Sequence, residues 1–224
     1  MSVLTSKQIL ERIKKGDIVF KPALDSFQLQ AHAVDLRLGY TFMIPKSWHL
    51  TENGRESLRV DHLNSENVSN LYEVVELEKG QYFELLPEEH VLAATLESIK
   101  WPSDLMSVLY PKSSTNRRGL AVDLTGIVDA GFEGQLIIPI RNNTSAHAIR
   151  LYPGERFCQI TFHELYEPAR KPNGTYHQKD VVEGFILNKK YKDYDMIKKG
   201  QILEMKEKFK IEVNEGVKDD KDKK

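Results

Sequence analysis

Val34-Asp35-Leu36-Arg37-Leu38 alternates apolar and polar side chains, the period of a strand with one face toward a core. Phe83-Glu84-Leu85 and the stretch from Val91 to Leu96 alternate in the same way. Gln135 to Ile140 and Phe157 to Leu165 are short β-branched or aromatic runs bounded by Gly, Pro and Asn. Ahead of all these, Thr5 and Gln8 have capping-box spacing, Ile9, Leu10 and Ile13 form an apolar stripe, and Gly16 ends it, which predicts one N-terminal helix. Many short strands after a single early helix predict an all-β fold, a distorted β-barrel or jelly roll. Trp48 to Asn70 is polar and carries Asn53-Gly54, so it reads as a surface hairpin or insertion.

The 224 residues suffice for one domain with a sizeable core, or one domain with appendages. The 32 Lys plus Arg nearly cancel the 33 Asp plus Glu, so no global field draws nucleic acid and any anion site must arise from local clustering. No apolar run approaches membrane-spanning length and the N-terminus is not a signal peptide, which predicts a cytoplasmic protein with no membrane partner. The single cysteine, Cys158, excludes an internal disulfide and the His plus paired-Cys zinc site of the common nucleobase deaminases. In Phe157-Cys158-Gln159-Ile160 it reads as a small buried apolar residue. The seven histidines show no metal-ligand spacing, so no protein-held metal is predicted.

Lys112-Ser113-Ser114-Thr115-Asn116-Arg117-Arg118-Gly119-Leu120, followed by Gly126-Ile127-Val128-Asp129-Ala130-Gly131-Phe132-Glu133-Gly134, carries the chemistry. Two hydroxyls and several cations in one polar loop match the charge and acceptor oxygens of a polyphosphate. Arg117 offers a planar fork and Lys112 a flexible point charge. An ordinary polar turn has a similar composition, and an Asp before small residues and glycine is also a common turn residue. Asp35 beside Arg37 reads as support for a loop or an ion pair rather than a metal ligand.

These stretches resemble the dUTPase and dCTP deaminase superfamily. Leu4-Thr5-Ser6-Lys7-Gln8-Ile9 through Gly16-Asp17, and Ala33-Val34-Asp35-Leu36-Arg37-Leu38-Gly39, are similar to the start of the deaminase branch. Glu89 to Glu97 resembles the strand before the phosphate loop, Pro153-Gly154-Glu155-Arg156-Phe157-Cys158-Gln159-Ile160 the motif after the carboxylate strand, and Asn173-Gly174-Thr175-Tyr176-His177-Gln178 the closing segment of deaminases. The resemblance implies a homotrimeric enzyme acting on a deoxyribonucleoside triphosphate, with Mg²⁺ carried in on the substrate triphosphate. It also implies phosphate contacts from Lys112, Ser113, Ser114, Arg117 and Gln159, a water held by Asp129, deoxyribose against Phe132 and a base stacked under Tyr176.

The departures decide the activity expected. In deaminases the glutamate that acts as general acid and base lies five residues after the last glycine of the Gly-Phe-x-Gly segment; counting from Gly134 reaches Pro139, which cannot move a proton. The Thr125-Gly126-Ile127-Val128-Asp129 hairpin is one residue shorter than the deaminase form, and its ending is closer to dUTPases. Both point to hydrolysis of dUTP to dUMP and pyrophosphate. Against that, trimeric dUTPases have a tyrosine at the position of Phe132 and a glycine-rich C-terminal arm that is not visible here. Thr175 stands where some deaminases have a lysine, with Lys171 or Lys179 as substitutes. Two alternatives stay open: a dCTP deaminase or bifunctional enzyme with Glu133 as the proton-transfer group, and a silent nucleotide-binding regulator acting through its lysine-rich extension.

The organisation expected is a domain over residues 1–184, an extension over 185–216 and a disordered charged tail over 217–224. Within the extension, Phe185 to Lys199 has the pattern of one or two helical turns, and Ile202 to Val213 that of a helix or a final strand pair.

Overall fold

The structure, a computed structural model, describes residues 2–61, 63, 71–123, 126–169 and 193–210. Helix α1 (Ser6–Lys15) begins as its sequence requires: the Thr5 amide donates to Gln8 Oε1 at 2.9 Å and the Gln8 amide donates back to the Thr5 hydroxyl. Gly16 closes it at φ +78°, a left-handed conformation that a Cβ disfavours. Fully buried Ile9 anchors the helix to the core, and the Leu4 amide donates to the Phe162 carbonyl at 2.9 Å.

The strands follow as β1 (Val19–Lys21), β2 (Val34–Pro45), β3 (Trp48–Thr51), β4 (Gly54–Ser57), β5 (Tyr72–Glu76), β6 (Phe83–Leu85), β7 (His90–Lys100), β8 (Leu105–Pro111), β9 (Leu120–Val122), β10 (Gly126–Val128), β11 (Glu133–Asn142), β12 (Ile149–Leu151) and β13 (Arg156–Glu164). Among the described residues, nine of them form one sheet curled into a half-barrel, in the order β10-β8-β13-β2-β7-β11-β9, with β1 along β7 and β5 along β2. The fold is therefore the all-β, dUTPase-type barrel expected, with its N-terminal helix. β12 pairs with β6. The exposed β3–β4 hairpin turns at Asn53-Gly54, with Gly54 at φ +105°. The β2–β7 register slips between Leu38 and Phe42, where a Cβ on Gly39 would sit 2.9 Å from the carbonyl oxygens of both Ala94 and Thr95.

Among the described residues the larger of two buried apolar clusters holds the aromatic side chains, and Met43, Leu92 and Ala94 form the smaller. Trp101 meets Phe162 edge-on, with centroids 5.6 Å apart at 81°, and Phe162 meets Phe20 at 6.4 Å and 87°. Contacts of this geometry add about 0.5–1.5 kcal/mol each beyond area burial. Cys158 is fully buried in the same cluster, and burial pushes its thiol well above the ordinary range.

The chain forms two compact units, Met1–Arg59 with Glu66–Asn188, and Val60–Ser65 with Lys189–Lys224. In the second, the extension is helical where it is described, over Tyr194–Lys198 and Ile202–Lys208, and Lys198 bridges to Asp61 at 3.4 Å. The expected boundaries at 184 and 216 lie outside the described residues. Among the described residues, no helix is long and apolar enough to cross a membrane.

Candidate active site

The phosphate loop starts where β8 ends. Lys112 leaves the strand at φ −81°, and its carbonyl accepts from the amides of Thr115 and Asn116, both at 3.0 Å, so Ser113–Asn116 forms a single helical turn that the strand-by-strand reading did not foresee. The turn leaves Ser113, Ser114, Arg117 and Arg118 exposed, and Arg117 makes no side-chain hydrogen bond or salt bridge among the described residues. Gly119 ends the loop at φ +92°; a Cβ there would lie 2.3 Å from Thr144 Cγ2. Thr144 is held in turn, its hydroxyl 2.8 Å from both Asn142 Oδ1 and the His147 carbonyl, while the Asn143 amide donates to the Gly119 carbonyl at 2.8 Å.

Beside the loop lies a cavity of about 320 Å³ lined by Lys112, Ser114, Thr115, Arg118, Arg150, Glu155 and Arg156 among others. Four cations face one carboxylate, a lining suited to a polyanion. Burial raises the Glu155 carboxyl above its ordinary range, with its backbone hydrogen bond and nearby Arg118 opposing the shift.

Asp35 corrects the alternation rule. Its strand pattern predicts a half-buried carboxylate, yet Asp35 is fully buried, because the loop and β13 cover that face of β2. Its Oδ2 accepts from Lys112 Nζ, from Arg156 Nη1 at 3.2 Å and from Gln30 Nε2 at 3.2 Å, while Oδ1 is buried with no partner among the described residues. A charge this deep persists only when paired, so Asp35 anchors the start of the phosphate loop. Arg37 pairs with Asp25 at 2.7 Å rather than with Asp35. Gln159, opposite Asp35 on β2 and Tyr110 on β8, stands in the same row.

Behind Asp35, buried Glu97 accepts from Gln28 Nε2 at 2.7 Å and from the Arg37 amide at 3.0 Å, and Gln28 Nε2 also reaches the Asp35 carbonyl at 2.9 Å. Desolvation holds Glu97 above its ordinary 4.5, although these hydrogen bonds and Arg37 oppose it. A raised folded-state value means the folded protein binds the proton more readily than the unfolded chain, so this stabilising contribution is complete below 4.5 and is lost as pH rises through the raised value. The melting temperature of the wild type, minus that of Glu97→Gln, is therefore expected to be largest near pH 4.5 and to shrink toward neutrality. Parallel melting curves for the two proteins across that range would remove Glu97 as the source.

Asp129 follows β10 on a fixed backbone. Trp101 Nε1 donates to the Asp129 carbonyl at 3.2 Å, the Trp101 amide to Phe132 at 3.1 Å and the Gly131 amide to Pro102 at 3.1 Å. The Asp129 side chain is exposed with no hydrogen bond or salt bridge among the described residues. Phe132 is half-buried against Trp101, with centroids 5.1 Å apart. Glu133, at the start of β11, is 3.2 Å from Lys100.

The predicted residues thus fall in separate places. Lys112 and Ser114 share the basic cavity, Ser113 and Arg117 lie on the same loop, and Gln159 is on the adjoining strand. Val128 pairs with Ser107 on β8, which puts Asp129 beside Met106, six residues before Lys112 and so about 20 Å along the strand. One chain does not bring Asp129 and its own phosphate loop together. Tyr176 lies outside the described residues. The described residues contain no group of three His, Cys, Asp or Glu that could hold a metal ion.

The family described as dCTP deaminase-like matches residues 3–165. A protein named dCTP deaminase, dUMP-forming, from Methanobrevibacter smithii is 35% identical over 175 residues, covering 78% of this chain and 86% of its own. A dCTP deaminase from Haloarcula marismortui is 37% identical over 175 residues, covering 77% and 85%. The solved 2′-deoxycytidine 5′-triphosphate deaminase from Agrobacterium tumefaciens aligns with a TM-score of 0.55 at 23% identity, a likeness of fold; it covers 71% of this chain, which spans 48% of that one.

Proposed function

Because this chain belongs to the dUTPase and dCTP deaminase superfamily, in its dCTP deaminase-like family, we propose that it hydrolyses dUTP to dUMP and pyrophosphate. The observation that carries this reading is Asp129, an exposed carboxylate with no partner among the described residues, on a backbone fixed by three hydrogen bonds. Asp129 orients a water and takes its proton, the water oxygen bonds to the α-phosphorus, and the bond to the bridging oxygen breaks to release pyrophosphate. Arg117 and the hydroxyls of Ser113 and Ser114 donate to the phosphate oxygens, the basic cavity offsets the charge of the leaving group, and Gln159 adds an amide donor. Lys112 serves chiefly by fixing the loop through Asp35. Phe132 packs against the deoxyribose and Tyr176 against the base, so a ribose 2′-hydroxyl would be left unpaired against the ring.

The Mg²⁺ of this reading comes on the triphosphate, since this cation keeps water and phosphate oxygens as ligands, and Asp35, the carboxylate that anchors the loop, already holds Lys112 and Arg156. When bound it would spread the phosphate charge. The separation along β8 supports an oligomer with shared sites, and the homotrimer is what the resemblance implies: an acting carboxylate must come within hydrogen-bond reach of the water at the phosphate, so in this reading the loop of one subunit is served by Asp129 of another. Incubating the full-length protein and Mg²⁺ with each deoxy- and ribonucleoside triphosphate is expected to release pyrophosphate from dUTP at least about tenfold faster than from UTP. A dUTP reaction that yields no pyrophosphate would overturn the reading.

A further inference from the structure

We propose that Arg150 is a specificity-determining residue that reads the terminal phosphate of the bound nucleotide, leaving a weak outward perch on Tyr82 and Glu84 to do so. This rests on the reading that the basic cavity takes the pyrophosphate half of a nucleoside triphosphate. Strand pairing builds the perch. β12 runs antiparallel to β6 with Leu151 opposite Phe83 and Arg150 opposite Glu84, so the next pair is Tyr152 and Tyr82. Phe83, Leu85 and Leu151 are buried, and the alternate residues Tyr82, Glu84, Arg150 and Tyr152 share the outer face. There the two tyrosine rings lie 5.5 Å apart and the Arg150 guanidinium stands 4.8 Å from the centre of the Tyr82 ring. Arg150 Nε donates to Glu84 Oε1 at a long 3.5 Å. None of these four residues belongs to the stretches through which the chain resembles its family.

Arg150 also differs from the other cations of the cavity. Lys112 and Arg156 are tied to fully buried Asp35, which their departure would leave as an unpaired buried charge. Arg118 has Glu155 nearby, itself part of the lining. The partners of Arg150 are exposed, with 57% of its own side chain and 47% of that of Glu84 open to solvent. An ion pair and a cation–π contact this open are each weak, because water competes for both. A phosphate offers the guanidinium fork two acceptor oxygens and a full charge, a stronger contact than either.

The phosphate loop supplies Lys112, Ser114, Thr115 and Arg118 to the lining, and β12 supplies Ile149, Arg150 and Leu151. In the hydrolysis proposed above, the loop and the water on Asp129 engage the reacting phosphorus. The arm from β12 therefore meets the end of the triphosphate away from it. A diphosphate stops one phosphate short and leaves the arm on Tyr82, so Arg150 adds affinity for the triphosphate alone.

Isothermal titration of the full-length protein in Mg²⁺ compares the non-hydrolysable α,β-imido analogue of dUTP with dUDP. Arg150→Gln is expected to weaken the analogue roughly 10- to 150-fold, the loss of a charge-assisted hydrogen bond, and dUDP by no more than about twofold. Glu84→Gln loosens the perch and keeps the arm, so it is expected to tighten the analogue about two- to fivefold, the worth of an exposed ion pair. A merely structural role for Arg150 moves both nucleotides together and gives no gain in Glu84→Gln. Equal weakening of the two nucleotides by Arg150→Gln, or unchanged affinity for the analogue, overturns the proposal. If Arg150→Gln lowers the melting temperature, Glu84→Gln decides: tighter binding of the analogue upholds the arm, and weaker or unchanged binding removes it. A wild type that binds neither nucleotide overturns this proposal together with the reading beneath it, whereas tight binding of the analogue without pyrophosphate release from dUTP sinks the hydrolysis alone.

Discussion

Asp129→Asn is expected to lower kcat for dUTP about 10²–10⁴-fold, the range over which positioned general bases act, with KM changed only slightly. The amide keeps the shape of the carboxylate but cannot take a proton or hold the water with a full charge. The fold should not move, since the side chain has no partner to lose among the described residues and the three backbone bonds that fix the segment survive the substitution. Steady-state pyrophosphate release and a thermal melt together check it. A variant with near-normal kcat would return Asp129 to the role of a turn residue.

Mixing two crippled proteins should restore activity. Arg117→Ala alone removes charge-assisted hydrogen bonds worth about 1.5–3 kcal/mol, and is expected to cut kcat/KM for dUTP roughly 10- to 150-fold. If each site takes its phosphate loop from one subunit and Asp129 from another, equal co-assembly of Arg117→Ala and Asp129→Asn chains leaves about one site in four with both groups intact. The mixture would then turn over well above either parent, at about a quarter of the wild-type rate. Activity equal to the mean of the two parents, in oligomers shown to be mixed, would put both residues in a site within one chain.

Much of the architecture was legible because it is local. Thr5, Gln8 and Gly16 define a helix within its own span, and the alternation in β6 declares its faces, whereas β2 and β7 are recognised as strands but are buried on both faces over Val34–Leu36 and Val91–Thr95. What covers a face is not local. Asp35 reads as half-buried from its strand, and only the return of Lys112 and Arg156 over β2 explains its complete burial. Register is likewise invisible along one strand, so Pro139 could be counted out from Gly134 while the residues facing it across the sheet could not. The polar loop residues stood out by type, but their distance from Asp129 emerged only from the β8–β10 pairing.

Gly119 and Thr144 occupy one volume between them: the threonine methyl fills the space a side chain at 119 would need, and the threonine is fastened to Asn142 and His147. The shape of the phosphate loop is thus inherited from a turn on the far side of β11. The two positions form a single unit of variation. A side chain at 119 would need a smaller residue at 144 and would still carry the strain of φ +92°, so a library randomising 119 alone should recover almost nothing but glycine.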